Sequence, residues 1–257
     1  RRPEEIIRTY LPPPTSDPDQ ANDIQRRNDY LADTGTDAVS WGGLAAVTWN
    51  PSRDHKISLT ALHSRSSDKE GREIMGLNEE RGVDVRDTRL RFTSRGLTFG
   101  QLNGEHRFPE LANADLTWNA TASLATADEP NTRQNVYTSD NQSGVFGWEE
   151  GAQSGSFFFS EQQERSFGGG LDWSQPLVEG EKPTRLKAGT LITIRRRSFD
   201  ARRFRFVPIS MVPNDPAFQL PPDQLFSDEN IGSVVSFEET TRNTDAYDAD
   251  YDVYAGY

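Results

Sequence analysis

The chain has no cysteine, so neither a disulfide framework nor a Cys-ligated zinc site is possible. No run of apolar side chains reaches six residues, which excludes a transmembrane helix. Basic residues are outnumbered by acidic ones, 28 to 40, and the net charge of −12 lacks the basic footprint that nucleic-acid binding needs. Catalytic signatures are missing too. The three histidines, His55, His63 and His106, form no His-Glu-x-x-His pair, and no Gly-x-Ser-x-Gly elbow occurs. Gly168-Gly169-Gly170 has no Gly-Lys-Ser/Thr continuation and reads as a bend, or as room for a neighbouring strand, not a phosphate cradle. The reading is therefore of a non-enzyme, with no catalytic residue, cofactor or metal assigned.

Apolar residues make up 33% of the 257 positions, too few for a large dry core. What there is follows a period of two. Tyr247, Ala249, Tyr251, Val253, Ala255 and Tyr257 share one parity, while Asp248, Asp250 and Asp252 share the other. Successive side chains of a strand point to opposite faces, so this stretch is a ribbon with an apolar and an acidic face. The acidic string lacks the sixth-position glycine and distal glutamate of a calcium loop, and is expected to face a wet lumen. Trp41, Gly43, Ala45, Val47 and Trp49 share a face, as do Leu116, Trp118, Ala120, Ala122 and Leu124. So do Phe167, Gly169, Leu171 and Trp173, and Leu186, Ala188, Thr190, Ile192 and Ile194.

These stretches predict an all-β antiparallel meander. Its strands fall near 41–50, 55–64, 87–108, 115–126, 165–175, 185–199 and 246–257, after a loop or partial strand over 1–40. Leu90 and Phe92 differ in parity from Leu97 and Phe99, which predicts a face-switching bulge near Ser94-Arg95-Gly96. Short links alternate with long ones at 65–86, 127–164 and 200–245. That is the habit of outer-membrane barrels, which have short periplasmic turns and long extracellular loops. Trp41, Trp49, Trp118, Phe167, Trp173, Tyr247 and Tyr257 are expected to ring the two membrane interfaces. Seven strands are too few to close such a barrel, so it is expected to be incomplete, a fragment of a longer protein. Arg195, Arg196, Arg197, Arg202, Arg203 and Arg205 crowd one strand end and are candidates for gripping lipopolysaccharide phosphate or an anionic ligand.

Three stretches resemble the barrel portion of TonB-dependent outer-membrane receptors: Leu90–Phe108, Asp115–Glu129 and Phe237–Tyr257. The resemblance implies a barrel of about 22 strands plugged by an N-terminal domain. It also implies ligand uptake across the Gram-negative outer membrane, without bond chemistry. Its partners would be outer-membrane lipid, lipopolysaccharide, a small-molecule ligand and, through the plug, an inner-membrane energy-coupling protein. The rival reading is a soluble, secreted β-rich adhesion or glycan-binding module. It predicts a two-layer body with Leu116, Ile192 and Val253 sealed inside.

Overall fold

The computed structural model describes residues 5–11, 25–140, 144–178, 184–209 and 215–257. It is one antiparallel sheet of ten strands, not closed into a barrel. The strands are β1 (Glu5–Leu11), β2 (Gln25–Trp49), β3 (His55–Asn78), β4 (Val83–Phe108), β5 (Ala114–Asp140), β6 (Gly147–Trp148), β7 (Ser156–Val178), β8 (Thr184–Pro208), β9 (Val235–Glu239) and β10 (Ala246–Gly256). Across the sheet they run β1-β2-β3-β4-β5-β7-β8-β10, with β6 beside β5 and β9 beside β8. No second layer covers the band of apolar residues. Leu116 and Val253 are only half-buried, and Ile192 is exposed.

The strands are far longer than their apolar stretches. The six central ones run 23 to 27 residues, against the roughly 9–11 that cross a bilayer. Three expected loops are thus largely strand. β3 and β4 fill 65–86 except for the turn at 79–82, while β5 and β7 take most of 127–164. β8 continues to Pro208, and β1 and the start of β2 occupy much of 1–40. Charge hides these extensions from a search for apolar alternation. Beyond the band the ladder is Asp68–Arg95, Glu70–Arg89 and Arg72–Asp87, with Gln134 donating to Asp87 at 2.9 Å. Cross-strand pairs of opposite charge hold a strand as alternating apolar residues do. The alternation of short and long links consequently weakens, while the overhang of the strands past one side of the band remains.

Directly paired residues share a face, so register fixes the faces of the whole sheet. One row reads Trp49, Ile57, Gly104, Trp118, Leu171, Thr190, Gly256; the next reads Val47, Leu59, Leu102, Ala120, Gly169, Ile192, Tyr254. We call this face outward. The inward face carries Ser58, Thr60, Gln101, Asn103, Thr117, Asn119, Thr121, Ser123, Ser166 and Asp172, interrupted by an apolar row of Leu44, Leu62 and Phe99.

The β3–β4 register is unbroken, so β4 does not switch faces at Ser94–Gly96. Leu97 and Phe99 point inward; Leu90 and Phe92 point outward. The extra residue sits instead in β5, between Glu129 and Thr132, where the register with both β4 and β7 shifts. Pro130 lies inside it, at a position where a missing ladder N–H is tolerated. At the turn between β4 and β5, Ala112 and Asn113 are both left-handed, with φ of 51° and 55°.

Among the described residues, the one well-buried apolar cluster lies at the far end of the sheet. Tyr137, Trp148, Phe206, Leu225 and Val235 form its centre, packed by Phe146, Phe157, Phe218, Leu220, Phe226 and Val234. Phe206 stacks on Phe226 at 4.3 Å, and Trp148 meets Phe226 edge-on. The segment from Pro216 to Glu239, expected to be loop, folds as a 3-10 turn, a one-turn helix and β9 over the outward face of β5, β7 and β8. Burying Leu225 and Val235 completely stabilises this cap by about 1.5–3 kcal/mol each.

Candidate functional site

The outward band is the feature that sets this molecule apart. It spans Val39 to Trp49 in β2, Leu116 to Leu124 in β5, Phe167 to Trp173 in β7 and Leu186 to Ile194 in β8. Val39, Trp41, Val47, Trp49, Leu59, Phe167, Leu171, Leu186 and Ile192 are all exposed. The band also drifts. Its midpoint in β2 is position 44; in β8 it is Thr190, which lies in the row of Trp49. Over five strand-to-strand steps the midpoint therefore moves from 44 to 49, five residues. At about 3.3 Å per residue and about 4.8 Å per strand, a level apolar belt requires the strands to tilt by about 35°.

Glycines make room for their neighbours on both faces, Gly104 outward and Gly168 and Gly170 inward. A Cβ on Gly104 would land inside the Trp118 indole, and one on Gly168 would lie 2.6 Å from Thr121 Oγ1. On Gly170 it would lie 2.8 Å from Asn119 Nδ2. The Gly168–Gly170 run therefore makes room for side chains of the adjacent strand.

Five of the seven expected girdle residues, Trp41, Trp49, Trp118, Phe167 and Trp173, share the outward face. Tyr247 and Tyr257 do not. Tyr247 pairs with Phe199 and stacks on it at 5.4 Å, and the Tyr257 hydroxyl bonds Asp172, so both point inward. The parity of β10 is the reverse of that expected. Asp248, Asp250 and Asp252 face outward, in the rows of Ser198, Arg196 and Ile194. Asp252 stands level with Ile194, the last residue of the band in β8, while Asp248 and Asp250 lie beyond it and Tyr254 lies in the row of Ile192.

The six candidate arginines are split between the faces. Arg196 and Arg202 point outward; Arg195, Arg197, Arg203 and Arg205 point inward. Arg196 binds Asp250 at 3.1 Å and both oxygens of Asp252. Arg202 forks onto Glu239 at 3.0 and 3.1 Å. Arg197 binds Glu164, and Arg203 binds Asp245 while lying 4.6 Å over the Phe158 ring. Arg195 lies 5.8 Å over Tyr251, and the buried Arg205 Nε has no hydrogen-bond partner among the described residues. They form no single anion cradle. Two other exposed arginines stand outward at the apolar edge, Arg65 in the row of Trp41 and Arg165 in the row of Leu124. Sequence reading missed them because neither lies in a basic run.

Beyond the band, Glu70, Glu239 and Tyr137 are among the groups with displaced proton affinities. The Arg89 hydrogen bond holds the Glu70 carboxyl below its ordinary 4.5. Glu239 is held low by Arg202 and Thr241. Burial pushes the Tyr137 phenol up to about 12, and its hydroxyl donates to the Leu220 carbonyl at 2.9 Å.

No protein-family profile, curated protein or solved structure matches the chain.

Proposed function

We propose that this chain is part of the β-barrel of an outer-membrane receptor of the TonB-dependent kind, which carries a ligand across the Gram-negative outer membrane without making or breaking bonds. The observation that carries the reading is the tilted apolar belt. A tilt of about 35° is what strands of outer-membrane barrels adopt. A soluble sheet gains nothing from a band of exposed apolar residues that shifts steadily against the strand register. The polar inward face suits a water-filled lumen, and the overhanging strands suit the extracellular side. The open edges at β1 and β10 are completed, in this reading, by further strands of the same barrel. At the outer edge of the belt, Arg65, Arg165 and Arg196 meet lipopolysaccharide phosphate, a narrower set than the sequence offers. Ligand selection falls to the inward face and the overhang.

Fractionation of cells making the intact gene product tests the class. The expected result is extraction only by detergent, with an electrophoretic band that shifts on boiling. Release into the soluble fraction without detergent refutes the membrane reading and favours a secreted module. The receptor assignment has its own check, in the gene upstream of Arg1. A plug domain with a short energy-coupling segment is expected, and a gene without them refutes the TonB-dependent class.

A further inference from the structure

His55 opens β3, and His106 stands opposite it near the end of β4. Pairing places both imidazoles outward, one row past Ile57 and Gly104, at the edge of the apolar belt nearest the short turns. Their Nδ1 atoms are 3.1 Å apart, with the rings inclined at 52°. The Trp118 indole N–H donates to His106 Nε2 at 2.9 Å. That bond makes Nε2 an acceptor, so neutral His106 carries its proton on Nδ1 and gives it to His55 Nδ1. A single proton thus lies between the two Nδ1 atoms, on the line that joins them.

The same pair of nitrogens has the separation that a metal ion beside their joining line needs. Bonds of about 2.0–2.1 Å to two imidazoles, at angles between square-planar and tetrahedral, put the nitrogens about 2.9–3.4 Å apart. The observed 3.1 Å lies inside that window. The neighbouring charges point away. Lys56 pairs with Glu105, and Arg107 with Asp115, on the inward face. Phe108 lies 5.7 Å from His55 and stacks on Trp173, so the rings are packed from the side.

We propose that His55 and His106 form a two-imidazole site for a divalent transition-metal ion of the copper–zinc class. The ion sits about 1.3 Å to the side of the line that the shared proton occupies, and the two rings turn to bring their Nδ1 lone pairs onto it. His106 moves that proton to Nε2, both Nδ1 atoms bind, and the Trp118 N–H gives up its acceptor; no proton is lost overall. Among the described residues no group of three or more His, Asp or Glu could hold a metal, so water fills the remaining positions. Imidazole donors favour Cu²⁺ over Zn²⁺. The site needs only the β3–β4–β5 register and is independent of the receptor reading.

Copper(II) titration of the intact gene product in detergent, followed by tryptophan emission and electron paramagnetic resonance, tests it. One saturable site with hyperfine coupling to two imidazole nitrogens is expected. His55→Gln and His106→Gln should each weaken it at least tenfold. His63→Gln, whose Nδ1 bonds Thr98 elsewhere, should leave it unchanged. Trp118→Phe should bind at least as tightly as the wild type, because the competing N–H is gone. A wild-type spectrum without two nitrogens overturns the proposal, and needs no variant to fold. So do His55→Gln and His106→Gln proteins that bind like the wild type, or a loss equally large in His63→Gln.

Discussion

Single residues in this sheet matter where a side chain and a backbone compete for one space. Ala112 is held at φ 51°, where its Cβ crowds the backbone. Ala112→Gly should therefore stabilise the protein by about 1 kcal/mol, read as a higher urea midpoint. Gly104 is the reverse case, since any Cβ there displaces the Trp118 ring. Gly104→Ala should cost about 1–3 kcal/mol and shift Trp118 emission. Protonation adds two further tests. Tyr137 is held neutral: its ordinary value is 10.0 and its folded value about 12. Its contribution is complete below pH 10 and is lost as the pH rises from 10 towards 12. Tyr137→Phe should lose about 0.5–1.5 kcal/mol at neutral pH and show no decline of this origin at alkaline pH, as measured by denaturation across that range. Glu70 has the opposite sign. Its value is lowered, so its stabilisation is present above 4.5 and disappears as the pH falls through the folded value. The gap between wild type and Glu70→Gln should shrink in acid.

At the scale of the element, the β5 bulge decides which face of the overhang is apolar. Below Glu129 the even positions of β5 point outward; above Thr132 the odd ones do, which places Tyr137 under the cap. Deleting Asn131 should restore an unshifted register, turn Tyr137 inward and strip the cap from its seat. Trp148, 6% exposed in the intact protein, should then become accessible to acrylamide quenching. Unchanged quenching would mean that the bulge does not set the face. The sequence hints at an irregularity here through Pro130, but parity comparison within β4 pointed to Ser94–Gly96. Leu97 and Phe99 are apolar residues on the inward face, and a pattern reader cannot distinguish these from a phase change.

For the whole molecule, the decisive contrast is between two neighbours on β8. Ile192 lies in the belt and Thr193 faces inward. Arginine at Ile192 should cost about 2–4 kcal/mol when unfolding is measured in lipid vesicles, while arginine at Thr193 should be nearly neutral. Equal costs would mean that lipid does not cover the outward face.

The sequence alone determined the strand habit, the two-residue period and the membership of each face within an unbulged apolar stretch. These follow from backbone geometry and need no partner, which is why β2, β5, β7 and β8 were legible. Parity sorts side chains into two sets, but it does not say which set joins the face of the apolar band. For β10 that was decided by its register with β8, which sets Asp250 and Asp252 against Arg196 and turns the tyrosines inward. The joining of His55 to His106, 51 residues apart, was likewise decided only by strand pairing. Side-chain alternation is a local property of one strand; the face it presents depends on the hydrogen-bonded neighbour.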